Sequence, residues 1–125
     1  MPSAILLVAH GSRRAAANAD LVELAQQLAD RCPEQLVEIG YLELTEPTIP
    51  QGLAGCVRQG ASSIAILPYF LSPGAHVTED LTEFRDQFMQ TYPAIPCVIC
   101  PPIGLHPKLL DILVDRLDEG RQRTL

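Results

Sequence analysis

The chain has 125 residues, 47% of them hydrophobic, and carries a formal net charge of -6 from 15 acidic and 9 basic side chains. That length and composition fit one folded domain with a real core, not a disordered chain. An acidic balance without Lys/Arg blocks excludes nucleic acid as a general partner. No apolar run approaches the roughly 20 residues that span a bilayer, so no membrane partner is expected.

Apolar runs alternate with segments of helical period. Residues 4–9 (AILLVA) read as a short buried strand. After a loop at 10–14, Leu21, Leu24, Ala25, Leu28 and Ala29 recur at helical spacing, and Pro33 ends that helix. Residues 36–44 read as the second strand. Pro47, Thr48 and Pro50 open a helix that carries Ile49, Leu53, Cys56 and Val57 on one side and stops at Gly60. Residues 63–70 (SIAILPYF) read as the third strand and 72–77 as a loop. Thr78 is the expected N-cap of the next helix, with Glu79 and Asp80 in its first turn. Residues 97–100 form the fourth strand core. Pro107 suits the first turn of a last helix, whose Leu109, Leu110, Leu113, Val114 and Leu117 are expected to face inward. Gly120 is its expected stop, leaving 120–125 as a polar tail on an ordered core of about 3–119.

The pattern is (βα)4: a single α/β domain over 1–125, with a four-stranded parallel sheet and helices on both faces, on a flavodoxin-like plan. Met1-Pro2-Ser3 lacks the basic start of a signal peptide, and the expected location is cytoplasmic. Four cysteines then read as thiols. Cys97 and Cys100 form a CxxC inside an apolar run, where small buried residues and a metal-handling pair are both open readings.

In a parallel sheet every βα loop emerges at the carboxyl ends of the strands. His10 follows the first strand, Glu43 closes the second, His76 follows the third and His106 the fourth. All three histidines and one acid therefore share a rim. A neutral imidazole binds borderline divalent metals and accepts protons near neutral pH. The loop His10-Gly11-Ser12-Arg13-Arg14 adds a glycine for close backbone approach, amides for an anion and two guanidinium groups. Its other reading is a tight turn with a Ser cap and two solvated arginines. Ser72, Gly74 and His76 repeat the design, with Tyr69, Phe70 and Leu71 as a candidate apolar wall or as plain core. Glu43 is a candidate third ligand or proton acceptor, Glu46 a solvated or capping acid, and His106 a structural or supporting residue rather than a ligand.

The segments LLVAHGSRR (6–14), ILPYFLSPGAHVTEDL (66–81) and PPIGLHPKLLDIL (101–113) resemble the class II chelatases, above all the short CbiX/SirB-type sirohydrochlorin chelatases. The resemblance runs from residue 4 to about 117. It implies a lyase that inserts Co2+ or Fe2+ into sirohydrochlorin, on the way to cobalamin or sirohaem, with no ATP and no organic cofactor. It puts His10 and His76 at the metal as catalytic residues, with Glu43 as a further ligand. Gly11, Ser12, Arg13, Arg14, Phe70, Leu71, Ser72 and Gly74 then line the substrate, and His106 stands behind them. Longer relatives hold two such lobes, so the resemblance also implies a homodimer.

Three other readings compete. A histidine-type phosphatase needs an Arg before its His, and Ala9 stands there. A receiver module needs paired acids after strand one and an Asp after strand three, where this chain has Val8-Ala9 and Tyr69-Phe70. A metal or tetrapyrrole carrier without turnover would carry the same residues.

Overall fold

The computed structural model describes residues 2–124. Strands β1 (Ser3–Ala9), β2 (Leu36–Tyr41), β3 (Ser63–Pro68) and β4 (Cys97–Ile99) alternate with helices α1 (Ala15–Arg31), α2 (Ile49–Arg58), α3 (Ala75–Thr91) and α4 (Pro107–Thr124). The sheet is parallel throughout, in the order β2-β1-β3-β4, as the alternating pattern predicts. Among the described residues no helix is long and apolar enough to cross a membrane.

Period-two side-chain direction splits the sheet into two faces. Ala4, Leu6, Val8, Ile64, Ile66 and Cys97 point to one, where Ile49, Leu53 and Cys56 of α2 and Leu81 and Phe88 of α3 complete the larger core. Leu7 points to the other and packs with Leu21 of α1 and Tyr41. Burial pushes the Cys56 thiol up to about 12, with Glu38 adding to the effect, and the Cys97 thiol up to about 11. Cys97 is thus a core residue, and Cys100 is half-buried.

Local chemistry sets the helix ends. At α2 the Thr48 side chain accepts from the Gln51 amide while the Gln51 side chain accepts from the Thr48 amide, a reciprocal capping box. Gly60, at φ +86°, closes the helix: its amide donates to Val57 and that of Ala61 to Cys56.

Four expectations fail. Helix α3 starts at Ala75 with Gly74 as its N-cap, not at Thr78. The Thr78 hydroxyl instead donates back to the Gly74 carbonyl inside the first turn, 3.3 Å away, so 75–77 are helical. Helix α4 runs through Gly120 to Thr124 instead of stopping at 119. Nor does α4 face inward. Leu110, Leu113, Val114 and Leu117 are exposed, because among the described residues α4 leaves the body and packs closely on no strand or other helix. The strands β2 and β3 also end earlier than the apolar runs, at Tyr41 and Pro68.

Candidate functional site

The carboxyl edge of β1 and β2 brings His10 and Glu43 together. Backbone pairing continues past both strands: the Leu42 amide donates to Ala9 and the Glu43 amide to His10, at 2.9 and 3.0 Å. Gly11 makes this possible. It sits at φ +98°, and a Cβ there would lie 1.9 Å from the Glu43 carbonyl oxygen, so no other residue lets the two loops approach so closely. The side chains then meet, with His10 Nε2 2.7 Å from Glu43 Oε1. A carboxylate only accepts, so Nε2 donates in this contact, and in the Nε2–H tautomer Nδ1 is the nitrogen that holds a lone pair. Both side chains are about half exposed, at 52% and 54%, which leaves them open to a ligand.

The loop behind His10 is held by a residue the sequence alone does not single out. The Asn18 side chain accepts from the Ser12 amide at 2.9 Å and donates to the Ser12 carbonyl at 2.7 Å. The Tyr41 hydroxyl in turn donates to the Asn18 carbonyl at 2.7 Å. Burial raises the Tyr41 pKa and keeps it a donor. The Ser12 hydroxyl accepts from the Arg14 amide, so it is committed to the turn. Arg13 and Arg14 are exposed and carry charge toward solvent at the same edge. Asn18, in HGSRRAAAN, was findable as an amide side chain one helical turn into α1, facing the loop it follows.

His76 arrives differently. It lies in the first turn of α3, with its side chain 85% exposed and Nε2 3.3 Å from Asp80 Oδ2 one turn on. It does not join the His10–Glu43 pair. Among the described residues no three His, Cys, Asp or Glu side chains converge as a metal-binding group. Ser72 and Gly74 flank the entry to α3 in the open, and Leu71 is exposed, whereas Phe70 is half-buried against the larger core. His106 is a cap: its Nδ1 accepts from the Lys108 amide at the start of α4.

Helices α1 and α3, which follow the two histidine loops, have no side-chain cap on their N-termini, while α2 is closed by its box. Apart from the Ala17 amide, which donates to the Arg14 carbonyl, their first-turn amides are open to anionic groups of a ligand.

A family model described as CbiX matches residues 4–120. The chain is 34% identical over 113 residues to the chloroplastic sirohydrochlorin ferrochelatase of Arabidopsis thaliana, covering 90% of this chain and 50% of that protein. It is 30% identical over 137 aligned positions to the sirohydrochlorin cobaltochelatase of Methanocaldococcus jannaschii, covering 90% of this chain and 96% of that one. Among solved structures, the sirohydrochlorin chelatase SirB from Bacillus subtilis subspecies spizizenii, in complex with cobalt, superimposes with a TM-score of 0.89 at 34% identity. That match takes in 95% of this chain and 51% of SirB. The chain therefore spans about half the length of the Arabidopsis protein and of SirB, and nearly all of the Methanocaldococcus protein.

Proposed function

The chain belongs to the CbiX family, and from that premise we propose that it inserts a divalent metal, Co2+ or Fe2+, into sirohydrochlorin without ATP. In this reading it acts as a cytoplasmic homodimer, the second copy supplying the second lobe of the longer relatives. The observation that carries the reading is the His10–Glu43 pair, built into the last rung between β1 and β2 and half open to solvent.

The chemistry follows from what insertion requires. A divalent metal enters a ring that gives up two pyrrole N–H protons, so charge balances if two bases take them. His10 offers Nδ1 and leaves Nε2–H on Glu43. His76 is the second imidazole, backed by Asp80. Each holds the incoming metal by its lone pair at the macrocycle face. As the metal passes to the ring nitrogens, each vacated lone pair accepts one proton. The carboxylates of Glu43 and Asp80 then stabilise the imidazolium ions that result. A ring bearing many carboxylates is held at its edge by Arg13, Arg14 and the uncapped amides of α1 and α3, with Gly11, Ser12, Ser72 and Gly74 as the close-approach backbone and Leu71 and Phe70 as the apolar side.

The test is a spectrophotometric assay with sirohydrochlorin and Co2+ or Fe2+. Multiple turnovers are expected, and His10→Ala and His76→Ala should each lower the rate by about 100-fold or more. A spectral change that stops at one equivalent would make the protein a carrier. Unchanged rates in both variants would remove the two histidines from the mechanism.

A further inference from the structure

Among the described residues, the loop between β2 and α2 carries the one non-glycine residue with a positive φ, Leu44 at +70°. There the Cβ of an L-residue crowds the following carbonyl oxygen, and only Gly, Asn and Asp visit the region routinely. Leu44 is also 52% exposed and lies outside both cores. An exposed leucine alone needs no explanation. A leucine that is strained and exposed at once does, because glycine or asparagine would relieve both costs at this turn. Leu42, two residues earlier, packs against the larger core, whereas Leu44 stands clear of it. Its side chain thus serves neither the turn nor the core, and strain held without a structural return gathers at functional sites.

Its place says what uses it. The Glu43 amide is bonded to the His10 carbonyl, so Leu44 is the next residue beyond the last rung that joins the two side chains of the site. The Tyr41 amide donates to the Pro47 carbonyl at 2.8 Å, which draws the loop shut and leaves Leu44 at the carboxyl edge of the sheet. The strand order β2-β1-β3-β4 sets β2 and β3 on either side of β1. Leu44 after β2 and Leu71 after β3, 59% exposed, therefore flank His10 from both sides. Two strand spacings, about 10 Å, separate the strands that carry them. A flat apolar face centred over His10 can rest on both leucines. The carboxylates at the edge of such a ring would lose water there without a partner, so they fall to Arg13 and Arg14 instead.

We propose that Leu44 is a substrate-binding residue, a strained apolar bracket that works opposite Leu71 to hold the face of the tetrapyrrole over the His10–Glu43 pair. The proposal rests on the metal-insertion reading above and deepens it by assigning a residue that sets how tightly the macrocycle is held, with no part in moving metal or protons. Covering the exposed half of a leucine side chain with the ring is worth about tenfold in affinity. The same residue lowers the stability of the free protein, so binding and folding favour different side chains at position 44.

Leu44→Gly, Leu44→Asn and Leu44→Met test it. Metal-free sirohydrochlorin is titrated into each by absorbance, with insertion kinetics and thermal melts on the same preparations. Leu44→Gly and Leu44→Asn should melt at the parent temperature or up to about 4 °C above it. Both should nonetheless raise the Kd for sirohydrochlorin and the KM about tenfold while kcat holds, the mark of lost uniform binding. Leu44→Met keeps an apolar side chain on the same backbone and should bind nearly as the parent does. Gly and Asn variants that bind as tightly as the parent would overturn the proposal. So would a lower melting temperature in both, which would make Leu44 a packing residue, or a Met variant as weak as the glycine one. The two readings fail separately. A parent that binds sirohydrochlorin but inserts no metal sinks the chelatase reading, and the Kd values still decide the Leu44 contact. A parent that turns over while the Gly and Asn variants match its Kd sinks the contact alone. A parent that does not bind sirohydrochlorin sinks both.

Discussion

Replacing Gly11 by Ala puts the structural account of the site at risk in one step. The new Cβ would fall 1.9 Å from the Glu43 carbonyl oxygen, so the two loops must part by more than an ångström. Two costs follow. A side chain at φ +98° carries about 1–2 kcal/mol of backbone strain. Parting the loops also removes the bond from the Glu43 amide to His10, worth about 1 kcal/mol. The sum, about 2–3 kcal/mol, divided by an unfolding entropy of about 2.1 cal/mol/K per residue, gives a melting temperature lower by about 8–12 °C. Separation of His10 from Glu43 should lower the metal-insertion rate by at least about tenfold, since the proton-accepting ring loses its partner. Thermal melts by circular dichroism and the insertion assay, run on one preparation, read both. A variant that melts within about 2 °C of the parent and turns over at the parent rate would show that the close approach of these loops is unimportant.

Asn18→Ala removes both bonds to Ser12 and should cost about 1–3 kcal/mol, with a loss of insertion rate. Asn18→Asp keeps the acceptor for the Ser12 amide but not the donor, and should fall between, as denaturant titration would show. Thr48→Ala breaks the capping box of α2 and should cost about 1 kcal/mol, a drop of about 4 °C. Stability should also fall at alkaline pH. The buried Cys97 and Cys56 thiols, raised to about 11 and about 12, keep their protons in the fold where the unfolded chain loses them from about pH 9. Their contribution is whole below that pH and is lost as the pH climbs toward 11 for Cys97 and 12 for Cys56. The slope is about 1.4 kcal/mol per pH unit for each thiol. Denaturant midpoints at pH 8 and pH 10 measure it, and Cys56→Ala with Cys97→Ala should flatten the difference.

The strands, the helix order and the rim were legible because each rests on a strong local signal: β-branched runs, a 3.6-residue apolar period, Pro and Gly at the breaks. His10 and Glu43 could be put on one edge from the βα alternation alone, but not in contact. Contact depends on Gly11 taking a positive φ, which a sequence permits without requiring. The start of α3 departs from its sequence signal for a related reason. Thr78 followed by two acids is a stronger N-cap signal than Gly74, yet the Thr78 hydroxyl satisfied a carbonyl within the helix instead. The stripe on α4 is apolar, as its period predicts, but faces outward. Periodicity says that a face wants burial, not which surface, or whose, will cover it. Asn18 has only its place after the loop to mark it, since a lone amide on a polar helix face carries no period.

The rung that continues beyond β1 and β2 also makes the two histidines unequal on the timescale of amide exchange. The Leu42 and Glu43 amides are tied into the parallel ladder and should exchange only when the sheet opens, with protection close to that of the core strands. The amides at 75–77, in the uncapped first turn of α3, have no intrahelical acceptor and should exchange within the first time points. One half of the site is therefore as slow as the fold itself, and the other can rearrange around a cargo without the sheet having to yield.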